Sequence, residues 1–177
     1  MSKNNKVLFL SLKDFYVNDI VDSSYVNAIK NYNARKIFIL ENIIEIKLGL
    51  ITESQVKSKI DKLIMFLKHK NVIIRDTFYC DGEKACMKPD PALSKMIIEK
   101  YNLNRDNIVS VGSNTGLVKL YNKTTDKFVG VIEPHAIKNI DRSKLNIKVD
   151  NSDIDKLFAK NSGITHLDKE IFIKHYS

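Results

Sequence analysis

A chain of 177 residues that is 44% hydrophobic and 28% charged has the composition of a folded globular protein and the length of one α/β domain with a substantial core. No apolar run approaches the roughly 20 residues that cross a bilayer, so a helical membrane protein is excluded, and two cysteines are too few for a disulfide framework. The net charge of +8 admits a polyanion partner, nucleic acid included, although a chain this dense in Asn, Ile and Lys carries many lysines without needing a ligand for them.

The first residues lead directly into an apolar run, without the longer hydrophobic region and cleavage site of a signal peptide, so an intracellular, cytoplasmic address is expected. That run, Val7-Leu8-Phe9-Leu10-Ser11-Leu12, has the pattern of a strand buried on both faces of a parallel sheet. Val26, Ile29 and Tyr32 follow at helical spacing, and Lys36 to Leu40 is a second strand, which completes a βαβ unit. Thr52 with Gln55 is a capping box opening a helix whose Val56, Ile60, Leu63, Ile64 and Leu67 share one face. The opposite face and the residues just beyond carry Lys57, Lys59, Lys62, Lys68, Lys70 and Arg75, the candidate polyanion contacts.

Val72 to Ile74 and Thr77 to Tyr79 predict a strand running into a loop with Cys80 and Cys86, which are expected to be reduced thiols or a metal-site remnant. Asp90-Pro91 opens a helix carrying Leu93, Met96, Ile97 and Tyr101, and Ile108 to Gly112 is another buried strand. A short helix is expected from Thr115 to Asn122, and a return to the sheet at Phe128 to Ile132. Leu145 to Val149 reads as an edge strand and Ser152 to Lys160 as a short capped helix; Ile164 to Ser177 has no clear pattern. The alternation predicts a doubly wound, mainly parallel sheet with helices on both faces. No linker or repeat divides residues 1–177, so a single domain is expected.

In an open α/β sheet, ligands sit at the carboxyl ends of the strands. The residues to weigh are therefore Ser11-Leu12-Lys13, Glu41-Asn42, Lys88-Pro89-Asp90-Pro91 and Gly112-Ser113-Asn114. With Tyr79-Cys80 and Cys86-Met87-Lys88, these points resemble, in order and separation, the haloacid dehalogenase (HAD) phosphatases of the capless type. That group contains the heptose bisphosphate, histidinol phosphate and polynucleotide 3′-phosphatases. The resemblance covers roughly Lys6 to Glu133, and residues 134–177 are expected to be a C-terminal extension packed on the same domain.

The resemblance implies a HAD-like Rossmannoid fold without a cap domain. It also places four roles on changed residues: Ser11 where the family has its aspartate nucleophile, Lys13 where it has its aspartate acid and base, Glu41 at the phosphate-binding hydroxyl, and Ser113 at the principal magnesium carboxylate. Leu117 stands where a second acid is often found. Lys88 matches the family lysine that neutralises phosphate and nucleophile, and Asn42 matches a common asparagine. Lys88, Lys13 and Asn42 are thus the candidate anion-binding residues. Asp14 is expected to point away from Lys13, by strand alternation. A serine without a neighbouring base is a poor nucleophile, and a charged lysine a poor proton donor.

The expectation is a catalytically inactive relative with a binding, scaffold or regulatory role, its partner a protein or a polyanion, and its oligomeric state open. No cofactor is expected. Magnesium would belong to the alternative, an active phosphatase on a phosphosugar or nucleic-acid 3′-phosphate that draws carboxylates from Asp14, Asp19 or Glu41. A third reading is a structural subunit of a larger complex. Zinc at Cys80 and Cys86 is not expected, because the loop lacks a histidine. His69, His135, His166 and His175 show no ligand spacing and receive no role.

Overall fold

The computed structural model of the protein describes residues 5–82, 86–113, 116–132 and 134–177. Strand β1 (Val7–Leu10) is buried throughout, with Val7 and Phe9 in one apolar cluster and Leu8 and Leu10 in another. A 3-10 turn over Leu12–Phe15 leads into a small hairpin, β2 (Tyr16–Val17) and β3 (Ile20–Val21). Helix α1 (Ser23–Tyr32) starts where the Asp22 carboxylate accepts from the Ser24 and Tyr25 amides, and stops at Asn33 in the left-handed region. Strand β4 (Lys36–Asn42) then pairs with β1 in parallel.

The predicted capping box is formed at the start of helix α2 (Glu53–His69), which buries Val56, Ile60, Leu63 and Leu67. Strand β5 (Asp76–Cys80) begins later than the apolar residues Val72 to Ile74 had indicated; these stay outside the ladder. Helix α3 (Ala92–Tyr101) has Asp90 accepting from the Ala92 amide. Strand β6 (Ile108–Gly112) pairs with the other side of β1.

Past Gly112 the chain departs from the expected alternation. The segment predicted as a helix is strand β7 (Leu117–Asn122), with Val118 and Leu120 turned into the core. Its apolar residues satisfy both periods over so short a stretch, and only the alternation of period two fits the partners it finds. Strand β8 (Phe128–Ile132) does not return to the main sheet, and β9 (Leu145–Asp150) is not an edge of it. They flank β7 in a separate three-stranded antiparallel sheet, order β8-β7-β9. Helix α4 (Ile154–Ser162), capped by Asp153 and ended by Gly163 in the left-handed region, leads into β10 (Thr165–Asp168) and helix α5 (Lys169–Tyr176).

The residues without a clear sequence pattern thus supply the fifth strand of the main parallel sheet, whose order is β10-β6-β1-β4-β5. Helices α1, α2 and α5 cover one face through Tyr25, Ile60 and Phe172. Helices α3 and α4, with β7 and β8, cover the other through Ile97, Phe158, Leu120 and Val131. This is the α/β architecture with helices on both faces that the strand pattern predicts.

The cysteines require a correction. Cys80 and Cys86 are joined in a disulfide, with their Cα atoms 5.6 Å apart, and are neither free thiols nor zinc ligands. Among the described residues no helix is long and apolar enough to cross a membrane.

Candidate functional site

At the carboxyl end of the main sheet, β1 delivers Ser11, β4 delivers Glu41 and Asn42, and the loop after β5 delivers Lys88. The segment after β6 delivers Ser113. Asn42 holds Lys88 in place through its backbone: the Asn42 amide donates to the Lys88 carbonyl at 2.9 Å and accepts from the Lys88 N–H at 2.8 Å. The Lys88 ammonium then reaches Ser11 Oγ at 2.8 Å and lies 5.6 Å from the centre of the Phe158 ring.

The other partner of that ammonium is Asp155, which sequence reasoning missed. The Asp153 cap starts α4 so that Asp155, Phe158, Ala159 and Ser162 fall on its buried stripe, and the Asp155 carboxylate enters the pocket. Its Oδ1 accepts from Lys88 Nζ at 2.8 Å and from Ser11 Oγ at 3.1 Å; its Oδ2 lies 3.5 Å from Lys13 Nζ. Gly112 makes the room. A Cβ there would stand 2.4 Å from Asp155 Oδ2 and 2.7 Å from its Cγ. Asp155 lies some forty residues beyond Leu117, past the three-stranded sheet. A signal for it existed: a carboxylate on the apolar stripe of an amphipathic helix needs buried cations.

Asp14 also contradicts the sequence expectation. The 3-10 turn over Leu12–Phe15 breaks the strand alternation, so Lys13 and Asp14 both reach the pocket. Asp14 Oδ1 accepts from Ser113 Oγ, and its backbone carbonyl accepts from Lys169 Nζ at 2.7 Å. Lys169 also pairs with Asp22 at 2.9 Å, so α5 fastens the turn that carries Lys13 and Asp14. Glu41 turns its carboxylate onto backbone amides: Oε2 accepts from the Lys13 N–H at 3.1 Å and Oε1 from its neighbour Asn42 at 3.0 Å. Asn114 and Thr115 lie outside the described residues.

The electrostatics separate the two aspartates. Burial and then the charge of Asp155 push the Asp14 carboxyl up to about 7, with Lys13 and Ser113 opposing. Burial also opposes ionisation of Asp155, but Lys88 and Lys13 outweigh it and hold the carboxyl below its usual range. Burial likewise disfavours the Lys88 ammonium, yet Asp155 and Glu41 raise its pKa above normal. Asp155 is thus a poor base beside Ser11, and Lys88 a poor proton donor.

Access is closed as well. Ser11 is 2% exposed, Lys88 3% and Asp155 1%. A cleft of about 250 Å³ opens next to them, walled by Leu12, Lys13, Glu41, Asn42, Gln55 and Lys59 among others, but those three residues are not in its lining.

The six candidate polyanion contacts are all exposed. Lys57 pairs with Glu53 at 3.2 Å, Lys59 lies over the Tyr16 ring, Lys70 over Phe66, and Arg75, beyond the end of α2, over Tyr101.

Comparison with known proteins agrees with this architecture. A family model described as polynucleotide kinase 3 phosphatase matches residues 2–172. The chain is similar to the structure of D,D-heptose 1,7-bisphosphate phosphatase from B. bronchiseptica, complexed with magnesium and phosphate. The two are 19% identical over 62% of this chain and 71% of that one, with a TM-score of 0.54. A putative HAD-like phosphatase from Mesorhizobium loti is 15% identical over 61% of this chain and 63% of that one, with a TM-score of 0.56. No curated protein matches the sequence significantly.

Proposed function

The chain belongs to the polynucleotide kinase 3-phosphatase family, and from that premise we propose that it is a member whose phosphoryl pocket is closed by its own carboxylates and which acts by binding rather than by catalysis. One observation carries the reading: the Asp155 carboxylate takes up Lys88, Lys13 and Ser11 together, in a position from which solvent is excluded. The Lys88 ammonium lies 2.8 Å from a buried carboxylate, so a phosphoryl group would have to compete with Asp155 for it. Displacing Asp155 would strand it in the same low-dielectric site. Glu41 does the same for two backbone N–H groups at the sheet end.

The chemistry supports the reading too. Family turnover would need a nucleophile, and Ser11 has as its acceptor a carboxylate whose proton affinity two ammoniums have lowered. Asp14, at about 7, has the pKa of an acid-base group, but it bonds to Ser113 and not to Ser11. The decisive assay is hydrolysis of an aryl phosphate and of a 3′-phosphorylated oligonucleotide with magnesium present. No release of phosphate above that of buffer is expected. Turnover abolished by Lys88→Ala would overturn the proposal.

The partner that fits a surface of net charge +8 is a polyanion, and Lys62 and Lys68 on α2 are its first candidates. Binding to single-stranded DNA should weaken with salt, and the double variant Lys62→Glu/Lys68→Glu should flatten the log–log salt slope by roughly 1 to 2. A slope unchanged in that variant removes this face from consideration.

A further inference from the structure

Among the described residues, Oδ2 of Asp14 and Oδ2 of Asp155 in the pocket have no hydrogen-bond donor, on residues only 2% and 1% exposed. A buried carboxylate oxygen without a donor needs a cation nearby. In a family whose structural neighbour holds magnesium and phosphate, magnesium is the first group to test against the donors present.

The donors do not fit it. Magnesium requires near-octahedral oxygen ligands at about 2.0–2.1 Å and tolerates no ammonium inside that shell. Asp155 presents one oxygen to Lys88 Nζ at 2.8 Å and the other to Lys13 Nζ at 3.5 Å, so a divalent ion on either would meet a fixed positive charge. The remaining oxygens are the Ser11 and Ser113 hydroxyls and the Asp14 carboxyl, which is partly protonated near neutral pH. Among the described residues, no group of three His, Cys, Asp or Glu side chains could hold a metal.

We propose that the ammonium of Lys13 stands in the place of the divalent cation, so that this member of the family carries its pocket cation covalently and folds without metal. The geometry allows it because Lys13 sits in the 3-10 turn after β1, from which a four-carbon stem reaches Asp155 while the backbone N–H is held by Glu41. The exchange is also consistent in charge. A single positive charge suffices where Ser11 and Ser113 stand at positions that the family fills with aspartate.

This inference rests on the closed pocket proposed above, but it makes a separate claim, about the metal, and has a separate test. Thermal unfolding of the wild-type protein should be unchanged between EDTA and millimolar Mg2+, and Mn2+ should show no enhanced water relaxation in its presence. Lys13→Met keeps the stem and deletes the charge. It should melt lower and be restored by Mg2+, with an apparent affinity roughly tenfold or more above that of wild type. Lys13→Arg should behave as wild type. Should Lys13→Met fail to fold in EDTA, its refolding yield with and without Mg2+ becomes the readout, with recovery by the ion expected. Stabilisation of the wild type by Mg2+, or a Lys13→Met protein indifferent to it, overturns the inference. A wild type that binds Mg2+ without turnover would sink this claim and leave the closed pocket standing; turnover in EDTA would do the reverse.

Discussion

Asp155→Ala is expected to cost the fold about 3–5 kcal/mol, among the largest effects of any single substitution in the chain. The variant removes the shared counter-charge of Lys88 and Lys13 and leaves the Lys88 ammonium buried beside a cavity. The double variant Asp155→Ala/Lys88→Met should be more stable than the single one, because it removes a stranded charge as well as its partner. Inorganic phosphate or sulfate should raise the melting temperature of Asp155→Ala and leave that of wild type unchanged, since only the variant releases Lys88 and Lys13 from the Asp155 carboxylate. Urea unfolding supplies the free energies. A loss below about 1 kcal/mol, with no response to phosphate, would mean that the carboxylate does not hold the pocket together.

The second large effect is on pH dependence. The Asp14 carboxyl is raised from 3.8 to about 7, chiefly by burial and then by Asp155. Between those values the native protein keeps a proton that the unfolded chain has released, so stability falls as pH rises through this window and the loss is complete above about 7. A shift of about 3 units corresponds to at most on the order of 4 kcal/mol. Asp14→Asn should abolish this part of the profile and make the protein more stable than wild type at about pH 8. Asp155, lowered in the fold, acts in the opposite sense and only below its ordinary range, where its contribution is lost on acidification. His166, whose pKa burial lowers, also opposes the trend, gaining stability as pH rises through the histidine range. The difference between wild type and Asp14→Asn, taken from urea midpoints across the interval, cancels both. Parallel profiles would rule out Asp14 as the titrating group.

The parts of this molecule that could be read from sequence are those where one periodicity ran long enough. β1 and β4 are continuous apolar runs because both their faces are covered, and α2 has a capping box and a full apolar stripe. β7 was ambiguous because Leu117, Leu120 and Tyr121 suit a helix as well as a strand, and only the neighbours at β8 and β9 decide between them. β10 has almost no apolar signal, since Thr165-His166-Leu167-Asp168 is an edge strand whose polar residues serve other ends. Asp168, for instance, caps α5.

The site was legible at the positions that follow the strands and illegible where its parts come from distant elements. Ser11, Lys13, Glu41, Lys88 and Ser113 do gather at one sheet end, yet their chemistry is governed by Asp155, which lies 67 residues beyond Lys88. The inward turn of Asp14 depended on a 3-10 geometry that strand alternation does not anticipate. The disulfide was missed because compartment, and not distance, guided the expectation.

The position of Asp155 in the chain has a consequence for assembly. A ribosome releases β1, β4, β5 and β6, and with them Lys13 and Lys88, before the antiparallel insert and well before α4 and β10. Four of the five strands of the main sheet are therefore available to collapse while the carboxylate that Lys13 and Lys88 share has still to be made. A chain halted after β9 would hold Lys13 and Lys88 without the Asp155 carboxylate that both contact in the folded protein.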